Sequence, residues 1–305
     1  MKKFLMPLAV CVALMASACQ SSGTNEAAYS NAASSNSTAK TTAAPDPNAP
    51  VTFPFPEFAS VETTAKAGEF VLSPAIEGIR NGMEKGVAST YTFNRQKMVA
   101  PDEEKSEVDF SNSKVKVPNA YLIPLPAGQK AKKGDIVLTW MTPFSSMCRA
   151  IVVDAANPSE PTVRYLDIDY DIAVKGSDGK TGVGQSDEKL KPDSFVKISN
   201  PFDAGMAIAY KVGEYMNSAT VLRVNGDKVL VKNWIGSLVV VDKKDCVPVP
   251  LAPGVKAGDR VKAERSGRYA DATVARVDAK IGRVFVKFDG QTDEKAIAFG
   301  NVMKG

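Results

Sequence analysis

The chain contains no histidine. That removes the base of Ser–His and Cys–His nucleophilic pairs, and with it the commonest zinc ligand. A peptidoglycan amidase or a papain-like peptidase built on this sequence would lack its general base. Cysteine is nearly as scarce, with Cys11, Cys19, Cys148 and Cys246 in 305 residues. No run of eighteen or more apolar residues follows the first twenty, so no spanning helix is expected after processing. The net charge is +4, and Lys2 and Lys3 account for two of those charges. So small an excess is no electrostatic footprint for nucleic acid, which is not an expected partner. Asp154, Asp167, Asp169 and Asp171 lie close in sequence, but the glycine and bidentate glutamate of a calcium loop are missing. They are expected to be solvated turn residues. No metal, cofactor or enzymatic activity is expected.

The N-terminus is a different kind of sequence. Lys2 and Lys3 precede an apolar run from Phe4 to Met15, followed by Ala16-Ser17-Ala18 and then Cys19. A positive start, a short apolar stretch and small residues at the end make an export signal. With Cys19 in place the stretch resembles a bacterial lipoprotein lipobox, although Ala16 stands where leucine is commoner; cleavage near Ala18 as an ordinary signal is the alternative. The resemblance implies that residues 1–18 are removed and that Cys19 becomes the lipid-modified N-terminus, a membrane anchor. Gln20, where aspartate commonly retains such proteins in the inner membrane, implies the outer membrane. Residues 19–50 are rich in Ser, Ala, Thr, Asn and Pro, and too poor in apolar groups to offset ordering entropy, so a disordered tether is expected.

Beyond residue 50 the pattern is that of strands. Arg260–Ala263, Thr273–Val277 and Arg283–Phe288 alternate polar and apolar, with turns at Ser266-Gly267, residues 278–282 and Asp289-Gly290. Five short strands in fifty residues are expected to close into a barrel, which removes bare edges. The opening of this unit recurs. Lys66-Ala67-Gly68-Glu69, Lys132-Lys133-Gly134-Asp135 and Lys256-Ala257-Gly258-Asp259 match, and Asp203-Ala204-Gly205-Met206 is a weaker copy. Gly68, Gly134, Gly205 and Gly258 are far enough apart for one small barrel each, which argues for tandem modules. The expected organisation is a divergent first β unit (51–126), possessing all its strands or borrowing Tyr121–Leu125, then units at 127–200, 201–251 and 252–305. Second strands are expected at Arg149–Asp154, Ala219–Val224 and Thr273–Val277, and residues 176–188 as a polar loop.

The last unit resembles the Tudor-like branch of the Src-homology-3-like barrels. Gly258-Asp259-Arg260-Val261, Ala272-Thr273-Val274 and Val284–Gly290 carry the likeness. The fold expected is therefore all-β: tandem small five-stranded Tudor-like barrels after a signal and a tether. Tudor modules bind methylated side chains in an aromatic cage. Here Glu264 and Ala270 stand where cage aromatics are expected, leaving Tyr269 and Phe288, so a cage is not the expectation.

Two cysteines remain beyond Cys19. Cys148 and Cys246 are an even pair in an oxidising compartment, either a disulfide between the second and third units or two buried thiols. Aromatic residues mark where a ligand would sit. Trp140, Phe144, Tyr165 and Tyr170 are expected around one groove of the second unit, with Trp140 and Tyr170 the more exposed and Tyr165 in the core. Tyr210, Tyr215 and Trp234 hold related places in the third unit, and Tyr269 in the fourth. The function these features imply is a non-enzymatic, lipid-anchored envelope module that binds a protein partner. Peptidoglycan binding, as in bacterial relatives of this barrel class, is the alternative.

Overall fold

Sequence alternation becomes strand in almost every place it occurs. The computed structural model describes residues 53–75, 90–111, 113–142, 145–171, 173–175, 181–183 and 186–305. All of them lie in one compact unit, Asp46–Gly305. The signal, Cys19 and the whole of the tether lie outside the described residues, as does Phe144.

The fold is all-β, and its strands fall into four sets with one pairing pattern. The first set is β1 (Phe70–Pro74), β2 (Phe93–Ala100), β3 (Lys105–Asp109), β4 (Lys114–Pro118) and β5 (Ile123–Leu125). The second is β6 (Ile136–Met141), β7 (Ser146–Asp154), β8 (Thr162–Tyr165), β11 (Asp187–Lys189) and β12 (Val196–Lys197), interrupted by a separate hairpin of β9 (Ala173–Lys175) and β10 (Thr181–Val183). The third is β13 (Ala207–Val212), β14 (Tyr215–Asn225), β15 (Lys228–Asn233), β16 (Leu238–Asp242) and β17 (Cys246–Pro248). The fourth is β18 (Arg260–Arg265), β19 (Arg268–Asp278), β20 (Arg283–Phe288), β21 (Lys295–Ala298) and β22 (Val302–Lys304). In each set the first four strands form an antiparallel meander and the fifth returns to pair with the first. The first set has all five strands of its own.

One device is repeated four times. The second strand bends at a bulge: between Met98 and Ala100, Val152 and Asp154, Val221 and Arg223, and Val274 and Arg276. A bulge sharpens twist and lets one strand pair with β-neighbours on both sides of a corner. The recurring glycine is its counterpart. Gly68, Gly134, Gly205 and Gly258 all have φ between +85° and +89°. Each donates its N–H to the carbonyl of the residue just before the bulge, at 2.8–2.9 Å. That residue donates its own N–H back to the residue after the glycine, again at 2.8–2.9 Å. The acid of the motif has a separate task. Side chains of Glu69, Asp135 and Asp259 accept the N–H of Lys66, Lys132 and Lys256 and so brace the turn. Met206 cannot do this, which is why the third copy is the faintest in sequence.

The barrels are joined in pairs, and the two joints match. The second strands of the first and second barrels meet at Asn94 and Ser146, and those of the third and fourth at Asn217 and Arg268. Asn94 and Asn217 both lie four residues before their bulge, and Ser146 and Arg268 both lie six before theirs. The adjoining hydrogen bonds also correspond: Arg95 N–H donates to Ser145 O at 2.9 Å, and Ser218 N–H to Gly267 O at 2.8 Å. The structure is thus a two-barrel unit used twice. One connected apolar cluster runs through all four barrels, including Leu72, Leu138, Val221 and Val286.

Several strand limits differ from expectation. The second strands begin earlier, at Ser146, Tyr215 and Arg268. Their first halves pair with strand one and with the neighbouring barrel, so those residues need not alternate in polarity. In the first barrel, where the sequence points to a strand over Ala88–Phe93, the second strand runs over Phe93–Ala100. Asp187 and Glu188, expected at the end of a loop, belong with Lys189 to the fourth strand of the second barrel.

The glycine device makes a prediction. No atom lies within 4 Å of a Cβ added at Gly258, so Gly258→Ala should cost only the left-handed backbone, about 1–2 kcal/mol. At Gly205 the added Cβ would meet Leu138 Cδ1 at 2.7 Å, so Gly205→Ala should cost more. Urea denaturation of the two variants measures both; equal losses would remove the distinction.

Candidate functional site

The aromatic residues do not gather in the second barrel. Trp140 is buried, a correction to its expected exposure: its ring packs on Phe70 of the first barrel at 5.1 Å, and Arg95 lies over it at 5.5 Å. The first and second barrels pair through β2 and β7, and that joint covers the end of β6. Tyr165 is buried, donating its hydroxyl to Trp140 O at 3.2 Å and to Glu188 at 2.9 Å. Tyr170 is half-buried and turns away, edge-on to Phe285 of the fourth barrel at 5.6 Å. The expected groove of Trp140 and Tyr170 is therefore not one groove. Tyr210 lies in the main core and Tyr269 in a small cluster with Ala207, Ala209 and Val249. Neither is presented to solvent. Burial pushes the Tyr269 hydroxyl up to about 12.

Cys148 and Cys246 are both unbonded thiols, not a disulfide. They belong to different clusters, Cys148 to the core of the second barrel and Cys246 to the common core. Cys148 donates to Arg149 O and Cys246 to Asp242 O, both at 3.2 Å. Burial raises both thiols, Cys246 to about 11, so neither is an activated nucleophile.

Tyr215 and Trp234 are different. They are 57% and 65% exposed, the largest side chains among the described apolar residues left in solvent. Val212 and Ile235 beside them are also about half exposed. The geometry that brings them together is local. Ser266 and Gly267 have φ of 49° and 81°, as a two-residue hairpin turn between β18 and β19 requires. Trp234, in the turn after β15, lies flat on Gly267: a Cβ there would fall 1.9 Å from its Cδ1. The next residue, Arg268, places its guanidinium 4.1 Å from the centre of the Tyr215 ring. Tyr215 in turn is the cross-strand partner of Val212. Val212, Tyr215, Arg268, Trp234 and Ile235 thus form a continuous ridge on the joint of the third and fourth barrels. Glu264 fixes its base, accepting the Gly267 N–H at 2.7 Å.

Behind the ridge lies a polar junction that sequence reasoning missed. Arg149 is buried in β7 and grips Asp167: Nη2 reaches Oδ1 at 2.6 Å, and the backbone N–H reaches Oδ2 at 2.8 Å. The same Nη2 donates to Asn301 Oδ1 of the fourth barrel at 2.9 Å. In return Arg283 of the fourth barrel donates to the carbonyls of Tyr165 and Ile168 in the second, each at 3.0 Å. Asp167 is therefore no freely solvated turn residue. Burial works against its charge, but the Arg149 guanidinium more than offsets that and holds the carboxyl below the usual carboxylate range. Lys232 faces the same group, and burial holds its ammonium below the usual lysine value. The signal was available: an arginine inside the apolar run Cys148–Val152 needs a buried partner. Among the described residues no group of three or more carboxylates or thiols is placed to hold a metal ion.

No family model and no curated protein matches the chain. Among solved structures, the four MBT repeats of Drosophila melanogaster Sfmbt, in complex with the peptide RHR(me)K VLR, match at 11% identity. The match covers 78% of this chain and 88% of that one, with a TM-score of 0.16. At that score the likeness carries no argument.

Removing Asp167 should strand a buried cation. Asp167→Ala is expected to cost on the order of 3 kcal/mol, the low end for a broken buried pair because the carboxylate is about a third exposed. Its lowered pKa fixes the sign with pH. The contribution is complete above the unfolded carboxyl value of about 3.9 and is lost as pH falls through the lower folded value. Asp167→Asn should therefore be less stable at neutral pH and lose less stability on acidification than the natural chain. Urea midpoints taken from about pH 7 down to 2 test this; parallel curves would exclude it.

Proposed function

We propose that this chain is a non-enzymatic binding module of the bacterial cell envelope, anchored by lipid on Cys19, that engages a protein partner through the ridge of Tyr215 and Trp234. One observation carries the reading. The two-barrel unit is used twice, so each ridge position has a counterpart in the first pair. Counted from the bulge and its partner strand, Tyr215 corresponds to Thr92, Trp234 to Ser111 and Arg268 to Ser146. The same joint folds with small polar residues at all three places. The exposed rings are therefore no requirement of the fold, and in water they cost solubility. Aromatic residues with arginine, flanked by aliphatics, are the composition of a protein-binding centre.

Peptidoglycan remains the second reading, favoured by the flat Trp234 face, which suits stacking on a sugar ring. Crosslinked envelopes separate the two. A specific partner should be recovered with the natural chain and fall at least tenfold with Trp234→Ala or Tyr215→Ala, while thermal stability changes little because both rings are exposed. Sedimentation with purified sacculi that depends on Trp234 would instead move the function to the cell wall.

The anchor has its own test. Palmitate should be incorporated by the natural chain and not by Cys19→Ser, which should leave the membrane fraction. An unlabelled natural chain would end the lipoprotein proposal. Gln20 supports the outer membrane as the destination.

A further inference from the structure

We infer that Glu264 makes the ridge acid-sensitive: proton uptake there loosens the turn that carries Trp234, and the ridge releases what it holds. The release rests on the protein-partner reading, whereas the loosening does not. The turn needs support. Ser266 sits at φ 49°, in a kind of hairpin turn that favours Asn, Asp or Gly at its two central places. Glu264 supplies that support, its carboxylate accepting the Gly267 N–H at 2.7 Å. Such a charge-assisted bond is roughly twice as strong as one to a neutral acceptor. Gly267 is also the floor under the Trp234 ring, so the bond reaches the ridge directly. The carbonyl of Gly267 is held independently, accepting the Ser218 N–H of β14 at 2.8 Å. Weakening the carboxylate bond therefore frees the turn and the ring while the third and fourth barrels stay paired.

The surroundings of this half-buried carboxylate disfavour its charge. Arg149 faces it from β7, but that guanidinium is taken up by Asp167 and Asn301. Asp167 and Asp169, in the segment after β8, face it as like charges. Lys232 of β15 faces Asp167. On its own hairpin, Arg265 lies over the Phe288 ring and Arg268 over the Tyr215 ring, and Tyr269 is its cross-strand partner. The third barrel meets the turn with the uncharged Ser218 and Trp234. Burial raises the Glu264 carboxyl above the usual glutamate value; the Gly267 N–H and Arg149 oppose the shift, and the two aspartates add to it. Asp167, held low by Arg149, keeps its charge through the range in which Glu264 takes up a proton. With no histidine in the chain, a raised carboxyl is the kind of group left to respond to mild acid. The sign for the fold is opposite to that at Asp167. A raised carboxyl contributes stability that is complete below the unfolded value of about 4.3 and is lost as pH rises through the folded value. Relief of the buried charge outweighs the weaker bond, so proton uptake loosens the ridge without unfolding the barrels.

Tryptophan emission tests the inference with no partner present. Trp140 and Trp234 are the two tryptophans of the chain, and Trp140 is buried. Acrylamide quenching of the full chain, compared with that of Trp234→Phe, therefore reads Trp234. Its quenching should rise by up to about twofold between about pH 7 and about pH 4.5, as the covered face of the ring opens and the side chain moves freely. Glu264→Gln, a neutral acceptor of the same shape, should show the higher quenching at both ends of that range. The far-ultraviolet circular dichroism should stay unchanged in both chains. A natural chain whose quenching does not rise would overturn the inference, as would a rise that persists in Glu264→Gln. So would a Glu264→Gln chain quenched as little as the natural chain at neutral pH. A partner captured at neutral pH should leave the natural chain on acidification over the same range. A partner that stays bound while the ring loosens would overturn the release and leave the protein-partner reading standing. Trp234-dependent sedimentation with sacculi would overturn that reading and leave the loosening of the ring standing.

Discussion

Everything in this chain hangs on one reciprocal pair of backbone hydrogen bonds, made four times. A glycine in the left-handed region donates to the residue before a bulge, and that residue donates back. The pair fixes where the second strand bends. The bend fixes which half of that strand pairs with strand one and which with strand three. It also decides which residues are left at the start of the second strand for the neighbouring barrel. A bulge displaced by a single residue would turn every side chain beyond it to the other face. It would also break the contacts of Asn94 with Ser146 and Asn217 with Arg268, on which the assembly into pairs rests.

Because the joint is set by backbone, its side chains are free to diverge. The first pair uses that freedom to bury: Phe70 and Trp140 pack together beneath Arg95 and Lys97. The second pair uses it to expose Tyr215 and Trp234. Where Trp140 ends β6 with its ring inward, the matching place at the end of β18 is Glu264, whose carboxylate holds the turn that carries the ridge. The same architecture thus produces a sealed joint in one copy and an open one in the other. Beside the open joint, Arg149, Asp167 and Arg283 tie the second barrel to the fourth. Such a buried ionic tie adds less to net stability than its short distances suggest, since desolvation offsets much of the attraction. Its effect is directional: the bonds that Arg149 and Arg283 make across the junction fix how the two barrels are placed.

The strands and the repeat were legible because they rest on local rules. Alternation located β18 and β20, and Lys-x-Gly followed by an acid located the openings of three barrels. The third opening was faint for a physical reason, since Met206 cannot brace the turn as an acid does. The starts of the second strands were illegible, because Arg268–Ala272 is ordered by pairing with another barrel rather than by its own polarity pattern. The site was legible only in part. Tyr215 and Trp234 were among the aromatics singled out, but so were Trp140, Tyr210 and Tyr269, which burial removes. No local rule distinguishes them. Whether a ring at a strand end faces solvent depends on which barrel lies against it, and that is a long-range fact. Arg149 is the opposite case, where a charge inside an apolar run announced a partner that spacing could not name.

Rigidity would favour the binding proposed for the open joint. Trp234 is held flat by a glycine no other residue could replace without displacing the ring, and Tyr215 is held by a stacked guanidinium. The turn between β18 and β19 is closed by Glu264 from below. An exposed tryptophan on a flexible loop would lose rotamer freedom on binding, a cost of roughly 0.5–1.5 kcal/mol for each immobilised side chain. Here that ordering is largely complete in the folded chain, so burying the rings against a partner returns more of the apolar transfer energy as affinity. The fold therefore bears the cost of the exposed rings in advance, and it does so at a joint whose backbone geometry is fixed twice over: by the bulge of its own strand and by the register of the neighbouring one.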